Sequence, residues 1–146
     1  MTTVRTILVM DDNPDICTTL QDILELSGYD VTTAENGNVG LDLAREMRPD
    51  LMIVDLMMPG CSGLSVVKRM RRLGVPQIPI VMMSINGSPQ QHSYALALGA
   101  NEFLQKPFGL GELVDVVQTL CPLDDALIQP RMMPDPASPL INQRNP

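Results

Sequence analysis

Aromatic side chains are nearly missing from this sequence: of 146 residues, two are Phe, two are Tyr and none is Trp. A core must therefore be aliphatic, and the 45% hydrophobic content supplies enough Leu, Val, Ile, Met and Ala to build one. Paired cysteines are also missing. Cys17, Cys61 and Cys121 are odd in number and widely spaced, which suggests neither a disulfide framework nor a metal-ligating pair. Each reads as a small buried hydrophobe. Positive charge is short, with 10 Lys and Arg against 17 Asp and Glu and a formal net charge of -7. A surface that grips a phosphate backbone needs clustered cations, so direct nucleic-acid binding is not expected. Protein partners are. No apolar run approaches the ~20 residues that span a bilayer, and the run near the amino terminus is too short for a secretory signal. These features lead us to expect a cytoplasmic protein without a membrane segment.

What is present is alternation, within a length that suits one domain. Ile7-Leu8-Val9-Met10, Leu51-Met52-Ile53-Val54 and Ile80-Val81-Met82-Met83 are continuous apolar runs. Such runs predict strands buried on both faces. Tyr29 to Thr33 and Glu102 to Gln105 predict two shorter strands. Between them lie stretches of helical spacing. Ile16, Leu20, Ile23 and Leu24 follow a cap at Asp12 or Asn13 and end at Gly28. Further helices are expected over about 38–47, from Leu64 through Met70, over about 88–98, and from Leu110 to near Cys121. Gly40 weakens the second helix, and Pro76 and Pro79 bracket a turn. Five strand–helix units in a row predict a parallel sheet with helices on both faces. Residues 122–146 hold six of the 13 prolines and no sustained periodicity, which predicts a mostly disordered tail or truncated linker.

Ligand chemistry in open α/β sheets sits beyond the carboxyl ends of the strands. There the first strand delivers Asp11 and Asp12, the third Asp55, the fourth Ser84 and the fifth Lys106. Three carboxylates in one pocket repel each other unless a hard divalent cation such as Mg2+ neutralises them. Lys106, one of only two lysines, can pair with a carboxylate or a phosphoryl oxygen. Ser84 offers a hydroxyl donor. Phosphoryl transfer needs mainly positioning and charge neutralisation, and Asp is a competent covalent carrier. Each residue alone has a plainer reading as a cap or turn; their joint occurrence at strand ends favours the site.

The order Asp11-Asp12, Asp55-Leu56-Met57-Met58-Pro59 with Gly63, Ser84, and Lys106-Pro107-Phe108 resembles the receiver domain of two-component response regulators. The likeness covers residues 5–121. It implies a doubly wound, flavodoxin-like (βα)5 sandwich with a five-stranded parallel sheet, as a receiver domain over 1–121. It also implies roles. Asp55 is the phosphoacceptor. Asp12, Asp55 and the backbone carbonyl of Met57 bind Mg2+, with Asp11 acting through a water. Lys106 and Ser84 contact the phosphoryl group. Ser84 and Phe103 form the switch, Phe103 turning inward as Ser84 moves. The face of helix 4, strand 5 and helix 5 reports the change to a downstream protein or to a second copy in a phosphorylation-dependent homodimer. The donor is a phosphohistidine on a sensor histidine kinase or histidine phosphotransfer protein.

Three residues near the site depart from the common pattern or modulate it. Ile85 replaces a small residue and narrows access to Asp55. Met57 and Asn86 occupy positions that set how readily water attacks the phosphoaspartate, and Met57 predicts a long phosphoryl lifetime. His92, the single histidine, reads as exposed on a polar helix, and Arg69, Arg71 and Arg72 as a solvated helix end. The competing readings are a dehalogenase-type hydrolase, which needs Asp-x-Asp after the first strand, a flavin protein, which needs aromatics, and a phosphorylation-independent pseudo-receiver.

Overall fold

In the computed structural model, which describes residues 4–73 and 77–124, every apolar run becomes a strand. The elements are β1 (Thr6–Met10), α1 (Pro14–Leu26), β2 (Asp30–Ala34), α2 (Gly37–Met47), β3 (Leu51–Asp55), α3 (Gly63–Arg72), β4 (Ile80–Ser84), α4 (Pro89–Leu98), β5 (Glu102–Gln105) and α5 (Leu110–Leu120). All strand pairs are parallel, in the order β2-β1-β3-β4-β5. The order reverses between β1 and β3, which makes their carboxyl ends the switch point where such sheets bind ligands.

β1, β3 and β4 are buried from end to end or nearly so because helices cover both sides of them. One side carries Ile7, Val9, Leu51, Ile53, Val81, Met83 and Leu104 against α1 and α5. The other carries Leu8, Met10, Met52, Val54, Ile80, Met82 and Phe103 against α2, α3 and α4. The register aligns Val9, Ile53 and Val81 across the first side, and Met10, Val54 and Met82 across the second.

The helix starts follow from their caps. Asn13, Asn36, Ser62 and Ser88 each accept a backbone N–H with the side chain. Gly40, a weak helix former, has a packing reason: a Cβ there would collide with the Met10 thioether, so α2 can lie close on β1. The element boundaries differ from expectation by a residue or so. β2 starts at Asp30 rather than Tyr29, because the Tyr29 N–H bonds Leu24 O (3.1 Å) to close α1 and its hydroxyl donates to Cys121 O (2.7 Å). All three cysteines are free and buried, as their spacing suggested. Pro76 and the expected tail from 125 onward lie outside the described residues. Leu123, just past the expected boundary, is buried against the α1–α5 side. Among the described residues, no helix is long and apolar enough to cross a membrane.

Candidate functional site

The strand ends deliver the acids together. Asp11, directly after β1, is 1% exposed, and Asp55, the last residue of β3, is 5% exposed. Asp12 is exposed beside them. Each of the three offers a carboxylate oxygen, and these oxygens lie within 4.8 Å of one another. Lys106 reaches in from the end of β5. Its Nζ donates to Asp11 Oδ2 at 2.8 Å and sits 3.3 Å from Asp55 Oδ1. The other Asp11 oxygen accepts the Asn13 N–H at 2.9 Å, so the residue that caps α1 also orients this carboxylate.

The electrostatics are lopsided. Burial and then the Asp11 charge push the Asp55 carboxyl up from 3.8 to about 6, against the pull of Lys106. Burial opposes the Lys106 ammonium, yet its hydrogen bond to Asp11 and the charge of Asp55 outweigh that, and its pKa rises. One cation thus serves two of the three acids. An all-oxygen donor set with surplus negative charge fits a hard divalent ion such as Mg2+. Asp11, Asp12 and Asp55 are the side chains placed to hold it.

Local backbone geometry sets Asp55 in place. Leu56 N–H bonds Met83 O (2.8 Å) and Gly63 N–H bonds Leu56 O (2.9 Å). Gly63 packs so closely that a Cβ would strike the Asp55 backbone carbonyl. Ser84 is fully buried and its Oγ accepts the Asn86 N–H at 3.0 Å, while its carbonyl accepts Lys106 N–H at 2.8 Å. Met57 and Ile85 stand out at 61% and 73% exposure, and Asn86 is exposed too. Ile85 and Lys106 share a cavity of about 410 Å³ with Ile16, Phe108 and Leu110.

Two expectations need correction. His92 is not an exposed residue: it is half-buried and its ring stacks on Phe103, centroids 5.0 Å apart at 16°. The cause is that Phe103 is itself buried, at 6%, and the α4 residue above it must cover the ring. Arg71 is not part of a solvated helix end. Its Nε and Nη2 donate to Gly99 O (3.1 and 2.8 Å), and Nη2 also reaches Asn101 Oδ1 (3.1 Å). The carbonyl at the α4 terminus needs a donor, and Arg71 supplies it. Asn13 and His92 are the residues that sequence reasoning left without a role at the site; the Asp-Asp-Asn-Pro order was the signal available for Asn13.

Comparison with known proteins finds similarity over most of the chain. The family model described as response regulator receiver domain matches residues 7–118. The chain is 39% identical over 108 residues to the uncharacterized transcriptional regulatory protein YkoG of Bacillus subtilis, covering 74% of this chain and 47% of that one. It is 39% identical over 114 residues to the transcriptional regulatory protein PrrA of Mycobacterium tuberculosis, covering 78% and 48%. The chain thus spans about half the length of the curated relatives it matches. Among solved structures, the Vibrio cholerae chemotaxis protein CheY4 superposes with a TM-score of 0.76 at 31% identity, over 81% of this chain and 99% of that one. The Francisella response regulator 1452 receiver domain gives 0.76 at 30% identity, over 80% and 95%.

Proposed function

This chain belongs to the response regulator receiver domain family, and from that premise we propose that it is a phosphorylation switch with Asp55 as the phosphoacceptor. The observation that supports this best is the shared cation: two buried carboxylates, Asp11 and Asp55, hold one ammonium between them. Structural ion pairs rarely leave a buried acid in excess, whereas a phosphoryl-transfer site needs that charge for metal.

In this reading Asp12, Asp55 and the Met57 carbonyl would hold Mg2+, with Asp11 acting through water, and the ion would supply neutralisation of the phosphoryl oxygens. Asp55 attacks phosphorus on a phosphohistidine of a sensor kinase or phosphotransfer protein. A P–O bond forms at Asp55 as the P–N bond breaks, and the released imidazole takes a proton from water. Lys106 binds a phosphoryl oxygen. The Ser84 hydroxyl turns to another, its O–H being free to donate while its Oγ accepts the Asn86 N–H. Exposed Ile85 screens the approach, and exposed Met57 offers attacking water no strong hydrogen bond, so the adduct is long-lived. The α4–β5–α5 face reports the change. The matched stretch is about half of the curated relatives, which are named transcriptional regulators, and this supports control of a separate DNA-binding unit rather than contact with DNA by this acidic domain.

The test is a mass measurement. With Mg2+ and acetyl phosphate or a cognate kinase, the protein gains one phosphoryl group, and Asp55→Asn does not. Failure of every donor to produce the adduct would instead support a phosphorylation-independent interaction module.

A further inference from the structure

We infer that a cavity at the amino ends of β3 and β4 binds a small amphipathic anion, an apolar body with one carboxylate or sulfonate-like head. The cavity measures about 420 Å³, within the ~300–1,000 Å³ of pockets that enclose small molecules. Pro49 and Asp50 line it just before β3, and Ile78 and Pro79 just before β4; α2 and α3 flank it through Ala44 and Met70. Asp55 and Ser84 lie at the far ends of the same two strands, five residues or ~16 Å away. The cavity is therefore separate from the acid site and from the second cavity, which Lys106 lines. It stands independently of the phosphoacceptor reading.

The walls suit an apolar guest. Ala44 and Met70 are buried members of the core, and Ile78 packs against it. The two prolines have no N–H that would need a partner in the cavity. An apolar body that enters displaces water from carbon surface.

Charge at the rim selects the head group. Asp50 is already satisfied: Oδ2 accepts the Thr6 N–H (2.8 Å) and hydroxyl (3.3 Å), and Oδ1 stands 3.7 Å from Arg5 Nη1. Arg45 faces Asp42 across 3.5 Å and complements the carboxyl end of α2. Arg48, also on the rim, has no such partner. Its exposed guanidinium meets no acid and no hydrogen-bond acceptor among the described residues. Among those residues it is also the one non-glycine at positive φ, 47°. Helix ends of that conformation usually take glycine or asparagine, because a larger side chain strains the backbone there. The strain holds a guanidinium at the mouth of an apolar cavity. An anionic head gains attraction to Arg48 and Arg45; a cation is repelled by both, and a neutral body leaves Arg48 unpaired. A nucleic-acid backbone needs more cations than these two, in a chain of net charge -7.

The full chain is titrated by fluorescence with two probes of one shape: 8-anilinonaphthalene-1-sulfonate, and N-phenyl-1-naphthylamine, which lacks the sulfonate. Each is expected to fill one saturable site, and the sulfonate to raise the melting temperature because it binds the folded chain. Arg48→Gly weakens the sulfonate about tenfold, or ~1.4 kcal/mol, and leaves the neutral probe and the melting temperature unchanged. Leu73→Glu, at a cavity residue that is 43% exposed, weakens both probes. Leu110→Glu, in the other cavity, weakens neither. Absence of a saturable site, equal loss of both probes in Arg48→Gly, or sensitivity to Leu110→Glu in place of Leu73→Glu would overturn the inference. A fall in the melting temperature of Arg48→Gly with sulfonate affinity intact would overturn it too, by making Arg48 a structural residue. So would a dimer of the parent chain that Leu73→Glu dissolves, since the cavity would then be a contact between copies.

Discussion

The two sides of the sheet are built from different materials. The α1–α5 side packs Val9, Ile53 and Val81 in a row, β-branched residues with little rotamer freedom. The α2–α3–α4 side packs Met10, Val54 and Met82 in the same register, and holds five of the six methionines that are buried among the described residues. Thioethers reshape at low cost, so this side is the more compliant. Side-chain alternation extends the division to the site. Asp11, Asp55 and Lys106 continue the parity of Val9, Ile53 and Leu104 on the stiff side, whereas Ser84 and Phe103 belong with Met82 on the compliant side. The charged centre stands over a fixed floor; the residues proposed to move stand over one that can repack.

The largest expected effect breaks or upholds this contrast directly. Ile53→Ala and Met82→Ala each remove three heavy atoms from fully buried positions. The first should cost about 4 kcal/mol and the second about 2 kcal/mol, because methionine neighbours can fill the void. Urea unfolding measures both, and equal costs would erase the distinction.

Next comes the charge over the stiff floor. Because the folded protein raises the Asp55 pKa from 3.8 to about 6, it holds that proton more tightly than the unfolded chain. The resulting stability is full below 3.8 and is lost as pH rises through about 6. Asp55→Asn in metal-free buffer should therefore stabilise the protein at pH 7.5 by about 3 kcal/mol and by little at pH 4. Denaturation at the two pH values checks the sign; a constant difference contradicts it.

Smaller is the clamp on the stiff side. Tyr29→Phe deletes the bond to Cys121 O (2.7 Å) and should cost about 1.5 kcal/mol, with faster amide exchange at the end of α5. Smallest is the lid on the compliant side. His92→Ala uncovers Phe103, and a double-mutant cycle with Phe103→Leu should return about 0.7 kcal/mol. A coupling near zero would mean that the stack contributes nothing beyond covering the ring.

Much of this was legible in the residues. Continuous apolar runs of strand length mark strands covered on both sides, and each such run ends in a chemistry-bearing residue. The doubly wound, flavodoxin-like architecture and the site roles came from resemblance, and the strand order came only from the structure, since alternation alone does not say which strand neighbours which. The compliant side was read less well. α4 has apolar residues on every side and no charged one, so its buried face leaves no periodic trace. The His92–Phe103 stack and the reach of Arg71 to Gly99, 28 residues away, are meetings that no local pattern encodes.

That Arg71 contact has a mechanical consequence. It ties α3 to the carboxyl end of α4, and Asn101 extends the tie to the backbone of β4 through Ile80 N–H (2.8 Å). The amino end of α4, beginning at Ser88, has no matching anchor among the described residues beyond its own cap, and it lies a few residues from Ser84. The helix is then a lever whose fulcrum is remote from the chemistry. Ten residues make an arm of about 15 Å, so a tilt of ~10° carries the free end by ~2.5 Å while the fulcrum stays still.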